Sequence, residues 1–164
     1  MAKASNSDNI DLKKLRNFSE TDINDIREGF SVFENSKSLA SVTDLITFIE
    51  STGLSLKYPT VSSILTKVAS SNPKGLNFKA FIESFQSHLG TSETKPGTKK
   101  LFETIDIEAK EYLDTDRLSS LSKEIGLNLT TEDLNYLIQQ EFNCPDGKVT
   151  SEAFQKKLAK IKSN

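Results

Sequence analysis

The side chains that most often carry enzyme chemistry are scarce in this sequence. His88 is the only histidine and Cys144 is the only cysteine, so neither a histidine pair nor a Cys-x-x-Cys pair can form. The glycine-rich phosphate-binding loop and the His-Glu-x-x-His zinc motif are also missing. We interpret His88 as a polar residue at a helix end. Cys144 is interpreted as structural or incidental, because no cationic partner is evident that would favour its thiolate. The sequence therefore predicts a protein that is not an enzyme and uses no cofactor.

Carboxylates are the remaining side chains that could act as metal ligands or as acids and bases. Their number is nearly matched by that of the cationic side chains. The chain has 23 Asp and Glu residues against 21 Lys and Arg, which gives a net charge of −2. Most of the acidic residues punctuate helix surfaces, so we interpret them as solvated. A net charge this small produces no broad field that would attract nucleic acid or acidic lipid. We therefore expect no nucleic acid and no membrane among the partners.

The cysteine count and the absence of long apolar runs bear on the location of the protein. With one cysteine no intrachain disulfide can form, which favours the interior of a cell. No apolar run approaches the length of a membrane span, and the N-terminus lacks the apolar core of a signal peptide. The predicted location is cytoplasmic.

Amphipathic helices separated by short polar loops must position the functional residues of the chain. Thr130 is placed to cap a helix, with Asp133 completing a capping box, and Ser19 and Asp22 repeat this pattern near the start of the chain. After Thr130, apolar residues recur at helical spacing until the breaking run 143–147. Another amphipathic helix follows that run. The pattern predicts an all-α protein built from helix-loop-helix units.

The two halves of the chain repeat each other. Because a single offset aligns helix faces, caps and loop centres, we interpret the halves as a duplicated unit and not as a chance run of helices. This offset maps Leu45 onto Leu118, Gly53 onto Gly126, Leu76 onto Val149 and Phe81 onto Phe154.

Residues 18–161 resemble calmodulin and its relatives, because each half offers two helix-loop-helix units of the EF-hand type. In that family a twelve-residue loop carries oxygen ligands at positions 1, 3, 5, 7, 9 and 12 and glycine at position 6. Paired loops form a short β-bridge at position 8, where this chain has Leu76, Leu113 and Val149. The resemblance implies a tail at residues 1–17, one lobe at 18–89, a kinked or flexible linker at 90–98 and another lobe at 99–164.

The four loops depart from the ligand pattern that the family implies. The first loop is one residue short and contains Lys37. The third has Asp106, Glu108 and Asp114 at positions 1, 3 and 9, but its last position is an arginine, whose guanidinium cannot donate to a metal. We therefore predict degenerate loops and no metal site. Positions 1 hold Glu34, Ala69, Asp106 and Phe142, and positions 12 hold Asp44, Ala80, Arg117 and Ala153.

The helix faces of this family form a groove that binds an amphipathic target helix. Calmodulin's groove is rich in methionine, whereas this chain has no internal methionine, so we expect a stiffer surface that suits one partner. The resemblance implies a calcium-independent light chain or structural adaptor on an IQ-like or similar helix of a larger cytoskeletal or motor protein, as myosin light chains are. The candidate partner-binding residues are Phe33, Ile49, Ile64 and Phe85 in the first lobe and Leu121, Leu137 and Leu158 in the second.

Two other functions remain open at this stage. One is a calcium-regulated sensor of the centrin or calmodulin type, which calcium binding in a calorimeter would favour. The other is a structural EF-hand protein that packs directly on a filament or axoneme, which co-sedimentation with filaments would favour. The groove residues also have a simpler interpretation, since they can serve only to fill the lobe cores.

Overall fold

The computed structural model describes residue 15 and residues 17–162, with Lys162 described by its backbone alone. The predicted tail therefore lies outside the described residues, except for Leu15 and Asn17, and Leu15 is buried. Within the described part of the chain, no helix has the length and apolar character needed to cross a membrane.

The described residues form an all-α fold with one small antiparallel ladder, as the sequence predicts. Nine α-helices and two short strands follow one another in these residues. They are α1 (Glu20–Ser31), α2 (Val42–Ser51), α3 (Leu54–Lys57), α4 (Pro59–Ser70), α5 (Phe78–His88), α6 (Lys95–Ile105), β1 (Tyr112–Leu113), α7 (Thr115–Glu124), α8 (Thr131–Tyr136), β2 (Val149–Thr150) and α9 (Ser151–Lys162).

The predicted capping boxes begin α1 and α8. The Ser19 side chain accepts a hydrogen bond from the Asp22 amide, and the Asp22 carboxylate accepts one from the Ser19 amide at 2.8 Å. Thr130 and Asp133 make the same reciprocal pair, with the Thr130 amide 2.9 Å from the carboxylate. Each box satisfies amide groups that the first helical turn leaves without a partner.

The loops pair at their centres, as the family resemblance implies. Ala40 and Leu76 exchange two backbone hydrogen bonds, of 2.7 and 3.1 Å, in an isolated bridge. In the other pair Leu113 lies opposite Val149 in the β1–β2 ladder. All four side chains are buried, so each bridge also contributes to a core.

The chain divides into two compact units, which we describe separately. The first contains residues 15–55 and 62–88, and the second contains residues 56–61 and 89–162 of the described chain. In the first unit the Phe30 ring packs 4.9 Å from Phe81. In the second, Phe154 is buried with Phe102, their ring centroids 5.8 Å apart. The domain boundaries stated above stay a prediction.

Helix α6 begins earlier than the sequence indicates. We expected the second half to restart at Lys99, but the helix begins at Lys95. The Thr94 side chain accepts a hydrogen bond from the Gly97 amide at 3.1 Å and so caps the helix. Pro96 is tolerated because a first-turn residue has no helical partner for its missing N–H. No helix covers the residues between His88 and Lys95, whereas residues 95–98 of the predicted linker are helical.

A π-helical turn follows α8 where the apolar spacing predicts a regular helix. It spans Leu137–Glu141. The Phe142 amide donates to the Leu137 carbonyl at 3.0 Å, and the Cys144 amide donates to the Ile138 carbonyl at 3.0 Å. The wider turn inserts one extra residue while Ile138 stays buried.

Candidate functional site

The first loop is held by its own side chains. Glu34, at position 1, forms an ion pair with Arg27 at 2.9 Å. The Asn35 side-chain oxygen accepts hydrogen bonds from the amides of Lys37 and Leu39, at 2.8 and 3.3 Å. The loop's first oxygen-bearing side chains are therefore already bonded within the protein.

The second loop offers methyl groups at both ends of its ligand set. Ala69 is completely buried and Ala80 is partly buried. The Ala80 amide donates to the Asn77 side chain at 2.8 Å, which fixes the start of α5. Gly75 has a φ of 96°, so the left-handed residue of this loop lies next to the bridge residue Leu76. This loop is a structural turn between helices.

The third loop contains the richest set of carboxylates, and two of them bond backbone amides. Asp106 accepts hydrogen bonds from the amides of Lys110 and Glu111, at 3.0 and 2.7 Å. One oxygen of Asp114 accepts from the Arg117 amide at 2.9 Å and thereby caps α7. These bonds satisfy the loop amides and begin the next helix.

Lys110, at position 5, provides a positive charge inside this loop. Its ammonium nitrogen lies 2.5 Å from a Glu108 carboxylate oxygen and 3.5 Å from the second oxygen of Asp114. The hydrogen bond to Glu108 is the largest cause of a raised Lys110 pKa, and the charge of Asp114 adds to it. The ammonium is therefore held in its charged form between positions 3 and 9.

Arg117, at position 12, is buried and belongs to a network within the second unit. Its Nε donates to the Ile105 carbonyl at 2.6 Å, and its Nη1 pairs with Glu124 at 3.3 Å. Glu124 also accepts from the Thr60 amide, at 3.2 and 3.1 Å to its two oxygens, while the guanidinium donates to the Thr60 hydroxyl. The side chains of Arg117 and Glu124 are 8% and 5% exposed. Such burial is tolerated because each charge is paired and hydrogen-bonded.

The fourth loop places an aromatic ring at its first position. Phe142 stacks on Phe154, with ring centroids 6.2 Å apart and an interplanar angle of 9°. Glu141, just before the loop, forms an ion pair with Lys157. Cys144 is buried, and its burial raises the pKa of the thiol. Here too the residues contribute packing and not oxygen ligands.

The residues of the four loops do not fit a calcium ion. Calcium takes six to eight oxygen ligands, including a bidentate carboxylate at position 12. Among the residues that the structure describes, no three His, Cys, Asp or Glu side chains converge in a way that would hold a metal. In the third loop a lysine and an arginine occupy positions where oxygen ligands are needed.

An apolar cleft opens on the helices of the first unit. It encloses about 160 Å³ and has Phe33 and Phe48 at its wall, their rings 5.0 Å apart and edge to face. Phe48 is 42% exposed, so part of its ring is open to solvent at the cleft. The other lining residues are Ile26, Gly29, Phe30, Leu45, Ile49, Leu65 and Phe81.

The predicted partner-binding residues of the first unit do not all lie at this cleft. Phe33 and Ile49 line it. Ile64 is buried in the core, and Phe85 packs beside Phe18 and Phe81, at 6.1 and 6.0 Å between ring centroids. The structure therefore brings two of these four residues together around the opening.

In the second unit the three predicted residues are partly buried. Leu158 packs against the core that contains Phe154, and Leu121 and Leu137 lie on α7 and the π-helical turn. The contact of the seven candidate partner-binding residues with a partner stays a prediction.

Sequence reasoning missed Phe48 and Leu65 as lining residues. Phe48 lies three residues after Leu45 and directly before Ile49, so the helical spacing had already placed it near the apolar face. Helical periodicity identifies a face but does not say which of its residues the neighbouring helices leave uncovered.

Paired helix-loop-helix units that are bridged at their loop centres have the arrangement of EF-hand proteins of the calmodulin type, and the first unit carries an apolar cleft. No family model matches the chain. Several proteins, however, are similar to it over most of its length. A caltractin of Paramecium tetraurelia is 25% identical over 122 residues, covering 74% of this chain and 70% of that protein. A calcium-binding protein of Arabidopsis thaliana is 22% identical over 135 residues, covering 82% and 81%. Centrin-3 of Homo sapiens is 23% identical over 148 residues, covering 90% and 89%.

These relatives are caltractin, calmodulin-like and centrin proteins, and they confirm the resemblance to the calmodulin and centrin type of the EF-hand superfamily. The protein therefore has the general character of a calmodulin-like adaptor or sensor.

Proposed function

We propose that this protein is a calcium-independent, calmodulin-like light chain or structural adaptor that binds an amphipathic helix of a larger protein. The partner is a cytoskeletal or motor protein with an IQ-like or similar helical segment. The observation that carries the proposal is an exposed apolar cleft on a unit whose loops are closed by the protein's own side chains.

The size of the cleft supports a helix with one large apolar anchor. A cavity of about 150 Å³ holds a group the size of benzene, and the cleft encloses about 160 Å³. Small-molecule sites are usually larger, at about 300–1,000 Å³. A Phe, Leu or Trp side chain from a target helix therefore suits the opening better than a free metabolite does.

The partly buried residues of the second unit are proposed as a further contact. Leu121, Leu137 and Leu158 each expose part of their side chain, so a second anchor of the target can pack there without unfolding the core. Apolar contacts of this kind give an affinity with a small salt dependence, because exposed ion pairs contribute only about 0–1 kcal/mol each.

Calcium independence is supported by the side chains at the loop positions. Position 12 is alanine in the second and fourth loops and arginine in the third. The carboxylate of Glu34 in the first loop already binds a guanidinium. A cytoskeletal location belongs to the same proposal and rests on the resemblance to myosin light chains.

A calcium sensor is the second candidate, because the Arabidopsis relative is named a calcium-binding protein. Calorimetry with calcium separates the two. Heat of binding at micromolar calcium would favour the sensor, and its absence would favour the adaptor.

Capture of a partner with calcium and with chelator tests the proposal directly. The tagged full chain is incubated with extract, and the captured protein is mapped by cross-linking to a single helical segment, which is then synthesised and titrated. We expect equal affinity under both conditions. Binding that requires calcium would contradict the adaptor function.

A matched pair of variants tests the cleft. Phe48→Asp places a charge on the cleft wall, and Val32→Asp places one at an 80% exposed site outside it. Because buried anchors carry most of the binding energy, Phe48→Asp should weaken the peptide complex by about tenfold or more, whereas Val32→Asp should leave it unchanged. Circular dichroism must first show both variants folded. Equal affinities would exclude this cleft as the binding site.

A further inference from the structure

We propose that Lys110 serves as the tethered cation of the third loop, so that its ammonium group holds together the carboxylates that a calcium ion would join. This inference rests on the proposed calcium independence and deepens it, because it names the group that replaces the metal. It also explains how the carboxylates of this loop can lie close together without a bound metal ion to offset their repulsion.

The acidic residues of the loop leave no set of oxygens directed at a common external ion. Asp106 uses both carboxylate oxygens on the amides of Lys110 and Glu111. Asp114 uses one oxygen to cap α7 and the other on the ammonium, 3.5 Å away. Glu108 bonds the ammonium at 2.5 Å. The Lys110 side chain is therefore the shared cation of positions 3 and 9.

The chemistry of an ammonium group suits this place. Its three N–H donors can serve two carboxylates and a water at once, and its charge offsets part of their repulsion. Lys110 is 40% exposed, so the third donor stays within reach of solvent. The other cation of the loop cannot do this task, because the Arg117 guanidinium is bonded to Ile105 and Glu124.

The backbone on either side of Lys110 adopts an unfavourable conformation. Ala109 and Glu111 have φ angles of 52° and 65°, in the left-handed region that favours glycine. Two such residues disfavour this loop conformation, so it needs contacts that compensate. The hydrogen bonds to Asp106 and the ammonium bridge are contacts of this kind, and they involve the residues between and beside the two left-handed positions.

A tethered cation has a regulatory consequence. A metal can leave its loop when its concentration falls, but a lysine side chain is present at a fixed and high local concentration. The third loop is therefore closed at any calcium level. The unit that contains it has no calcium-dependent change of shape to pass to a partner.

Hydrogen exchange of the full chain tests this role. Lys110→Met removes the charge and keeps an unbranched side chain that is one atom shorter. Lys99→Met makes the same change at a lysine in the exposed pair with Glu103, 3.9 Å apart on α6. In Lys110→Met the amides of residues 110 and 111 should exchange roughly two- to fivefold faster than in the wild type, as expected for the loss of a partly exposed ion pair. Lys99→Met should leave both rates unchanged.

A double variant separates the ammonium bridge from a general loss of packing. If Lys110 acts on Glu108, then Glu108→Gln added to Lys110→Met should produce no further acceleration. An additive acceleration would overturn the inference, and so would equal exchange in Lys110→Met and Lys99→Met. Lys110→Arg, which keeps the charge, should exchange more slowly than Lys110→Met; if it does not, charge is not what holds the loop.

Hydrogen exchange in the presence of calcium completes the test. Millimolar calcium should not slow exchange at residues 110 and 111 of the wild type, and protection by calcium would overturn the inference. The proposed function fails separately, if peptide binding to the cleft requires calcium while the Lys110 variants behave as described. If binding is calcium-independent but Lys110→Met has no effect, only the tethered cation is wrong.

Discussion

Arg117 and Lys110 place two positive charges in the third loop, and the protein uses them in different ways. Lys110 stays near the surface and bridges carboxylates of its own loop. Arg117 turns into the protein, where it pairs with Glu124 and meets Thr60. At the scale of the residue, the loop position that carries a bidentate carboxylate in an EF-hand holds here an arginine that belongs to a buried ion pair.

Removal of one partner of that pair should be costly. Arg117→Met leaves the Glu124 carboxylate buried without its guanidinium, and loss of one partner from a buried pair destabilises a protein by about 3–5 kcal/mol. Urea unfolding followed by circular dichroism measures the change. Lys99→Met, at a side chain that is 66% exposed, serves as the control and should change stability by less than about 1 kcal/mol. Arg117→Met with Glu124→Leu should recover part of the loss, and a double variant as unstable as the sum of its singles would contradict the pairing.

At the scale of the element, the helices begin where short-range hydrogen bonds allow it. The two capping boxes, at Ser19 and Thr130, begin the helices that precede the first and the fourth loops. The glycines after α2 and α7 have φ angles of 67° and 77°, which glycine adopts without strain. These boundaries depend on residues within one turn of each other.

The capping box of α8 makes a pH prediction. Hydrogen bonds from the backbone and side chain of Thr130 lower the pKa of Asp133 below its usual 3.8. Because the pKa of Asp133 is lowered in the folded state, the capping box stabilises the protein above the usual pKa of 3.8. This contribution is lost as the pH falls through the pKa of Asp133 in the folded state. Thr130→Ala should raise the pKa of Asp133, measured by NMR titration, and should cost about 1 kcal/mol near neutral pH. The stability difference between the two proteins should shrink in acid; a difference that is constant down to pH 2 would contradict this account.

At the scale of the whole molecule, both units have bridges between loop centres like those of EF-hand proteins, while their loops contain ion pairs, methyl groups and a stacked ring. The bridge residues Leu76, Leu113 and Val149 are all buried. Loop positions that hold metal ligands in an EF-hand also contribute to the cores here, since Ala69 is completely buried and Phe142 packs against the core of the second unit. The first unit adds the cleft, which gives the molecule its proposed binding surface.

This arrangement predicts that calcium leaves thermal stability unchanged. A ligand bound only by the folded state stabilises it by about 2.7 kcal/mol at a hundredfold excess over its dissociation constant. Melting of the protein in calcium and in chelator, followed by calorimetry, should give the same transition temperatures. A rise of several degrees with calcium would contradict the proposed function, and magnesium serves as the control for a general ionic effect.

Much of the fold follows from the sequence because its causes are local or periodic. Capping boxes, breaks at glycine and the repeat of apolar residues each depend on neighbours along the chain, and they place Leu76 and Val149 at the loop centres and Phe81 and Phe154 in the cores. The sequence also identifies the substitutions at the ligand positions. These determine an all-α protein of paired helix-loop-helix units.

Only the tertiary structure decides which apolar residues remain open and which charges meet. Ile64 and Phe48 are equally acceptable as groove residues by periodicity, yet Ile64 is buried and Phe48 is exposed at a cleft. Arg117 and Thr60 are far apart in sequence, so no local sequence pattern predicts their contact. Burial and pairing depend on how separate helices cover one another, and that packing is set by the sum of long-range contacts and not by any one segment of the chain.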